Sequence, residues 1–258
     1  MEMKIIAFSN QKGGTGKTTI CVNLAAGLVK LNERVLIIDL DPQGNSTVSV
    51  GINLKPDDLT VREFILGEAR IEDVMVDSYM ADLSIIPSNP DLAHVEIEIA
   101  NKSKNQFYLK RAIENSKEVL KSFDYIFIDC PPSLSILTIN GLCASNYVLI
   151  PVLVDYLSLQ GLSNLLETIE QVKKKLNPGL EILGIIPNML DYRLKITEES
   201  LELLKENFNE KVFKNGIKIC SRLRESPSFG KAIFDYARNS QAAVDFLNLA
   251  KEFKRRLK

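Results

Sequence analysis

The sequence predicts an α/β fold, a doubly wound and mainly parallel sheet flanked by helices, and three observations carry that prediction. Short runs rich in Val, Ile and Leu recur, and they are apolar throughout instead of alternating, as strands covered on both faces are. Segments with helical periodicity separate them, the pattern of a parallel sheet. The glycine-rich and acidic motifs fall directly after such runs, where the loops at the carboxyl ends of parallel strands gather ligands.

The elements follow in order. Lys4–Phe8 is the first strand, and a glycine-rich stretch leads from it into a helix over about Lys17–Leu31. Val35–Leu40, Leu83–Pro87, Tyr125–Cys130, Tyr147–Leu153 and Ile182–Ile186 are the further strands. Helices are expected over about Gln106–Lys121, Ser135–Ala144, Ser158–Leu176, Thr197–Asn207 and from Gln241 to the end. No repeat, low-complexity linker or break interrupts them, so residues 1–258 are expected to form a single domain. At 258 residues, 45% hydrophobic and 25% charged, the chain can build its core without disulfide or metal staples.

Composition narrows the function classes. Cys21, Cys130, Cys143 and Cys220 are scattered without a C-x-x-C pair, which suggests small buried hydrophobes in a reducing cytosol. His94 has no metal-ligand cluster around it and receives no role. The N-terminus lacks the charged and apolar regions of an export signal, and no apolar run approaches a membrane span; a cytoplasmic protein is expected. Net charge is −1, but Lys211–Lys258 holds 12 Lys/Arg against 4 Asp/Glu, net +8, on a body of net −9. Such a basic segment suits an anionic partner, nucleic acid or membrane surface, or is simply a solvated helix face.

The chemistry begins after the first strand, at Gln11-Lys12-Gly13-Gly14-Thr15-Gly16-Lys17-Thr18-Thr19. The usual phosphate-loop pattern would place a glycine where Gln11 stands, so the strict motif fails. Its physics survives. Gly13, Gly14 and Gly16 let successive N–H groups turn inward on phosphate oxygens, and the helix near Lys17 aims its positive end at the same anion. Lys17 can reach the β- and γ-phosphates, and the Thr18 hydroxyl can ligate Mg²⁺. The second strand ends in Asp39-Leu40-Asp41-Pro42-Gln43-Gly44-Asn45, with both carboxylates on one side. The Tyr125–Ile128 run ends in Asp129, placed to hold Mg²⁺ directly or through water. Pro187-Asn188 follows the last strand, where a nucleobase contact is plausible.

The loop with its early Lys12 resembles the deviant Walker A form of the MinD/ParA class of ATPases. Asp41–Asn45, Asp129–Leu142, Gly161-Leu162 and Arg222–Lys231 are similar to the ParA/Soj partition ATPases in particular. That resemblance implies ATP and Mg²⁺ as cofactors and an ATP-dependent homodimer in which Lys12 reaches the partner's nucleotide. It implies that Asp41 positions the attacking water, with Lys12 and Lys17 stabilising charge and Thr18 and Asp129 holding the metal. It also implies binding to nucleoid DNA without sequence preference, release on hydrolysis, and stimulation by a ParB-type centromere-binding partner. Arg222 matches the family's DNA-contacting arginine, and Lys218, Arg224 and Lys231 are neighbours that could extend the patch. Departures from the family pattern fall at Ile217–Ser221, Leu153, Asp155 and Ala237. A MinD-like membrane switch is the alternative, since Val244, Leu247, Ala250, Phe253 and Leu257 form an amphipathic end. The preferred reading packs that stripe onto the core. A ParA-like ATPase positioning some other cytoplasmic cargo would need the same residues.

Overall fold

In the computed structural model the described residues are 3–258, without the side chains of 156–160; Met1 and Glu2 of the expected domain lie outside them. Seven strands form one sheet: β1 (Lys4–Phe8), β2 (Val35–Asp39), β3 (Val76–Asp77), β4 (Leu83–Ile86), β5 (Tyr125–Asp129), β6 (Tyr147–Leu153) and β7 (Glu181–Asn188). Their order is β3-β4-β2-β5-β1-β6-β7. All pairings are parallel except β3 with β4. The strand missing from the sequence reading is β3, whose two exposed residues carry no apolar pattern.

The non-alternating strands reflect two buried faces. Ala7, Leu36, Ile38, Ile126 and Ile128 point into one core with the helices Tyr108–Asn115 and Ile136–Ala144. Ile6, Phe8, Ile37 and Phe127 point into the other, against Lys17–Val29 and Gln241–Arg256. Gly27 permits that second packing, because a Cβ there would lie 3.2 Å from the Cβ of Ala250. Ala250 and Phe253 of the terminal stripe are fully buried, Leu247 and Leu257 pack at the edge, and Val244 is exposed. Packing onto the core therefore accounts for the stripe. Among the described residues, no helix is long and apolar enough to cross a membrane.

Several boundaries differ from expectation. The helix expected over Gln106–Lys121 is a 3₁₀ turn followed by Tyr108–Asn115 and Lys117–Leu120. It breaks where Ser116 Oγ donates to the Ala112 carbonyl, offering the backbone a competing partner. The helix expected from Ser158 runs Tyr156–Lys175, and β7 extends through Pro187 to Asn188. Short helices at Asn45–Ser49, Val61–Leu66, Ile71–Val74, Leu92–Ile99, Arg222–Glu225 and Ile233–Tyr236 are additions.

Candidate nucleotide site and basic surface

The carboxyl ends of β1, β2 and β5 meet at one place. In register, Phe8 pairs with Asp129, and Asp39 pairs with Asp129. The loop leaving β1 wraps over this point and enters the helix Lys17–Val29. Gly14 at φ 74° and Gly16 at φ 83° supply the left-handed turns that bend it. Asn10 anchors its start: its Nδ2 donates to the Pro151 carbonyl at 2.7 Å, and its Oδ1 accepts the Lys12 N–H at 3.0 Å. Asn188 supports it from beneath, donating Nδ2 to the Thr15 carbonyl at 2.7 Å. A Cβ on Gly16 would lie 2.2 Å from that same nitrogen, so this glycine is required by space as well as by φ.

Lys17 is buried beside Asp129 and Asp41. Burial lowers its pKa, and the charge of Asp129 pulls the other way. Asp129 accepts from the Ser46 hydroxyl at 2.8 Å and from the Thr18 hydroxyl. Burial pushes its carboxyl up to about 6, against the opposing pull of Thr18, Ser46 and Lys17. Its Oδ1 is buried with no hydrogen-bond partner. Asp39 is fully buried, and burial together with the nearby Asp129 charge raises it to about 8. Its Oδ2 accepts the Thr47 N–H at 2.8 Å and the Thr47 hydroxyl at 2.7 Å.

Asp41 is buried at the cleft wall, where its Oδ1 accepts the Gln43 N–H at 3.0 Å. Gly44 then turns the chain at φ 63°, and a Cβ there would sit 2.9 Å from the Ser88 carbonyl. Lys12 points outward, its Nζ 3.4 Å from Asp155, with its side chain 42% exposed.

A cleft of about 470 Å³ opens above these groups. Gly13, Gly14, Gly16, Lys17, Thr18 and Thr19 form one wall, with Asp41 and Asn45 beside them. Leu223, Arg224 and Pro227 line it too. The donor set fits a nucleotide polyphosphate with Mg²⁺: a glycine loop at a helix N-terminus, one buried ammonium, one hydroxyl, and a buried carboxylate whose Oδ1 lacks a protein partner. Among the described residues no cluster of three or more His, Cys, Asp or Glu could hold a metal alone. Water and phosphate oxygens would complete a Mg²⁺ shell, as that ion prefers.

A family model described as an AAA domain matches residues 3–182. The sporulation initiation inhibitor protein Soj of Bacillus subtilis is 44% identical over 249 residues, covering 96% of this chain and 97% of that protein. The chromosome partitioning protein ParA of Myxococcus xanthus is 40% identical, covering 98% and 88%. The chain belongs to the ParA/Soj family of partition ATPases. A cobyrinic acid a,c-diamide synthase from Mycobacterium smegmatis, solved with a bound ATP analog and magnesium, superposes at TM-score 0.87. It is 31% identical and covers 99% of this chain and 96% of that one.

The remaining sequence-predicted residues lie on the C-terminal part of the chain, from Lys218 to Lys231. Lys218, Arg222, Arg224 and Lys231 are all solvent-exposed, and Arg222 lines a shallow concavity with Arg238 and Ser240. Arg224, exposed as well, also lines the nucleotide cleft. The tail cations are partly engaged: Lys254 pairs with Glu33, and Arg256 pairs with Glu252 while stacking on Phe213 at 4.0 Å. Asn10, Ser46, Thr47 and Ser88 were missed by sequence reading, because hydroxyls and amides acquire such roles only through partners far along the chain. Asn10 alone carried a signal, as the last residue before the glycine loop.

Proposed function

We propose that the whole chain, residues 1–258, acts as one ATP-driven DNA partition unit. ATP and Mg²⁺ close a homodimer, the dimer grips nucleoid DNA in the cytoplasm without sequence preference, and hydrolysis, stimulated by a ParB-type partner, releases it. The observation that carries the reading is the joining of two features on one segment. The cleft that fits a nucleotide is walled by the segment whose other side presents Arg222 to solvent.

The chain's residues divide the work. Thr18 and Asp129 would hold Mg²⁺, which when bound neutralises charge on the β- and γ-oxygens. Lys17 stabilises the charge that builds as the bond to the γ-phosphorus breaks. Asp41 orients the water that forms the new bond and leaves ADP and phosphate. Lys12 serves the partner's nucleotide. Its pairing with Asp155 at 3.4 Å is exposed, of a kind worth only about 0.2–1 kcal/mol. Lys218, Arg222 and Lys231 neutralise DNA phosphates, which makes binding steeply salt-dependent.

DNA binding with ATP, ADP and no nucleotide, at two salt concentrations, tests the proposal for wild type and Arg222→Ala. ATP-dependent binding that collapses in the variant is expected; binding that ignores nucleotide, or is unchanged by Arg222→Ala, removes DNA from this surface. Asp41→Ala should bind ATP and dimerise but hydrolyse poorly, and normal turnover would take Asp41 out of the mechanism.

A further inference from the structure

The family resemblance treats Arg222–Lys231 as a DNA surface, but the helix Arg222–Glu225 faces two ways. Residues two apart on a helix lie about 200° apart, so consecutive arginines at positions 222 and 224 point to opposite sides. Leu223 between them is buried and fixes the turn against the core. Arg222 accordingly lines the outer concavity, and Arg224, itself exposed, lines the cleft together with the glycine loop and Thr19.

The surroundings of Arg224 leave its guanidinium available to that cleft. Glu225, its neighbour on the same turn, accepts from the Tyr236 hydroxyl at 2.8 Å. Asp41, which lines the same cleft, has its Oδ1 engaged with the Gln43 N–H. No ion pair of Arg224 occurs among the described residues, whereas Arg62, Arg70, Arg193 and Arg256 all have one.

The segment is also held in place at its far end. Gly51, just past the helix Asn45–Ser49, and Gly230 meet backbone to backbone: a Cβ on Gly230 would lie 2.5 Å from the Gly51 Cα. Asp41 and Arg224 therefore line one cleft from two segments that are in direct contact at Gly51 and Gly230.

We propose that Arg224 is a nucleotide-binding residue, donating its guanidinium to the polyphosphate of the nucleotide in the cleft of its own chain. Lys17 and the loop N–H groups grip that chain from one side, and Arg224 grips it from the other. A planar guanidinium suits the task because it can donate two parallel hydrogen bonds to one phosphate. The inference rests on the nucleotide-binding reading above and assigns Arg224 to ATP instead of DNA.

Titration of a fluorescent ATP analogue with Mg²⁺ into wild type, Arg224→Ala, Arg224→Lys and Lys251→Ala tests it. Lys251→Ala removes one positive charge from an exposed position on the last helix. Arg224→Ala is expected to weaken nucleotide binding about ten-fold or more, the effect of losing a charge-assisted hydrogen bond. Arg224→Lys should recover part of the loss, and Lys251→Ala should bind as wild type does. Thermal melting without nucleotide reports folding, and Arg224→Gln replaces the alanine variant should that one fail to fold. At saturating ATP, Arg224→Ala should hold DNA as wild type does. Wild-type nucleotide affinity in both the alanine and glutamine variants overturns the inference, and so does an equal loss in Lys251→Ala. If wild type itself binds no nucleotide, the underlying reading falls instead, which is a different result.

Discussion

Replacing Thr47 by Val changes one hydroxyl to a methyl at nearly constant shape, at the junction of three segments. The Thr47 hydroxyl donates to Asp39 Oδ2 at 2.7 Å and accepts the Ser88 N–H at 2.9 Å. It thereby ties the end of β2 to the helix after Asp41 and to the residues following β4. Thr47 and Ser88 are both buried, so water cannot replace what is lost. A buried N–H left without a partner costs about 1–3 kcal/mol, and the lost hydroxyl bond to Asp39 adds roughly 1 kcal/mol. The extra methyl returns about 0.8 kcal/mol. The net is about 1–3 kcal/mol, which for a chain of this size lowers Tm by roughly 2–12 °C. Thr47→Ser keeps the hydroxyl and should recover most of the loss. Differential scanning calorimetry measures the shift, and steady-state phosphate release measures the consequence for Asp41, whose turn leads into Thr47. Turnover should fall more than ATP affinity. A Tm within about 1 °C of wild type, with unchanged turnover, would refute the view that this hydroxyl holds the loop.

Two further outcomes follow from the same region. Gly230→Ala adds a Cβ 2.5 Å from the Gly51 Cα at a residue with φ 59°; conformational strain alone is about 1–2 kcal/mol and the backbone overlap adds to it. Urea unfolding should show a clear drop in midpoint, and an unchanged midpoint would mean that the two segments are not in contact. Acidity should matter as well. Burial, and after it the charge of Asp129, raises Asp39 to about 8, so the folded protein holds that proton more tightly than the unfolded chain does. The resulting stability is complete below the unfolded value near 4 and is lost as pH rises through about 8. Without nucleotide, the urea midpoint should therefore be lower at pH 8.5 than at pH 6, and Asp39→Asn should flatten that slope. A midpoint that rises over this interval contradicts the assignment.

Much of this site was legible because its physics is local. Gly14 and Gly16 announce a backbone that must turn left-handed, and Asp39, Asp41 and Asp129 end apolar runs in a fold that gathers ligands at strand ends. One overlooked helix was legible too: Thr60 and Glu63 form a capping box before Val61–Leu66, a spacing readable from sequence. Ser46 and Thr47 were not legible, since their partners Asp129 and Ser88 lie 83 and 41 residues away. The direction of Arg224 was hidden for another reason. A basic run reads as one patch until a four-residue helix, pinned by Leu223, divides it between two faces.

That division bears on how ATP would control the proposed DNA binding. A ligand shifts an equilibrium only through an element whose alternative states it contacts differently. The segment Arg222–Gly230 meets that requirement twice. Arg224 touches the nucleotide cleft directly, and Gly230 abuts the chain that continues from Asp41 through Asn45–Ser49. The second contact is backbone against backbone, with no flexible side chain between to absorb a displacement. A movement of the Asp41 loop on loss of the γ-phosphate must therefore be accommodated by the segment bearing Arg222. The two routes are separable by experiment. Arg224→Ala should weaken ATP yet leave DNA binding intact at saturation, whereas Gly230→Ala disturbs the join itself. A Gly230→Ala protein that still folds should bind ATP but discriminate less between ATP and ADP when it binds DNA.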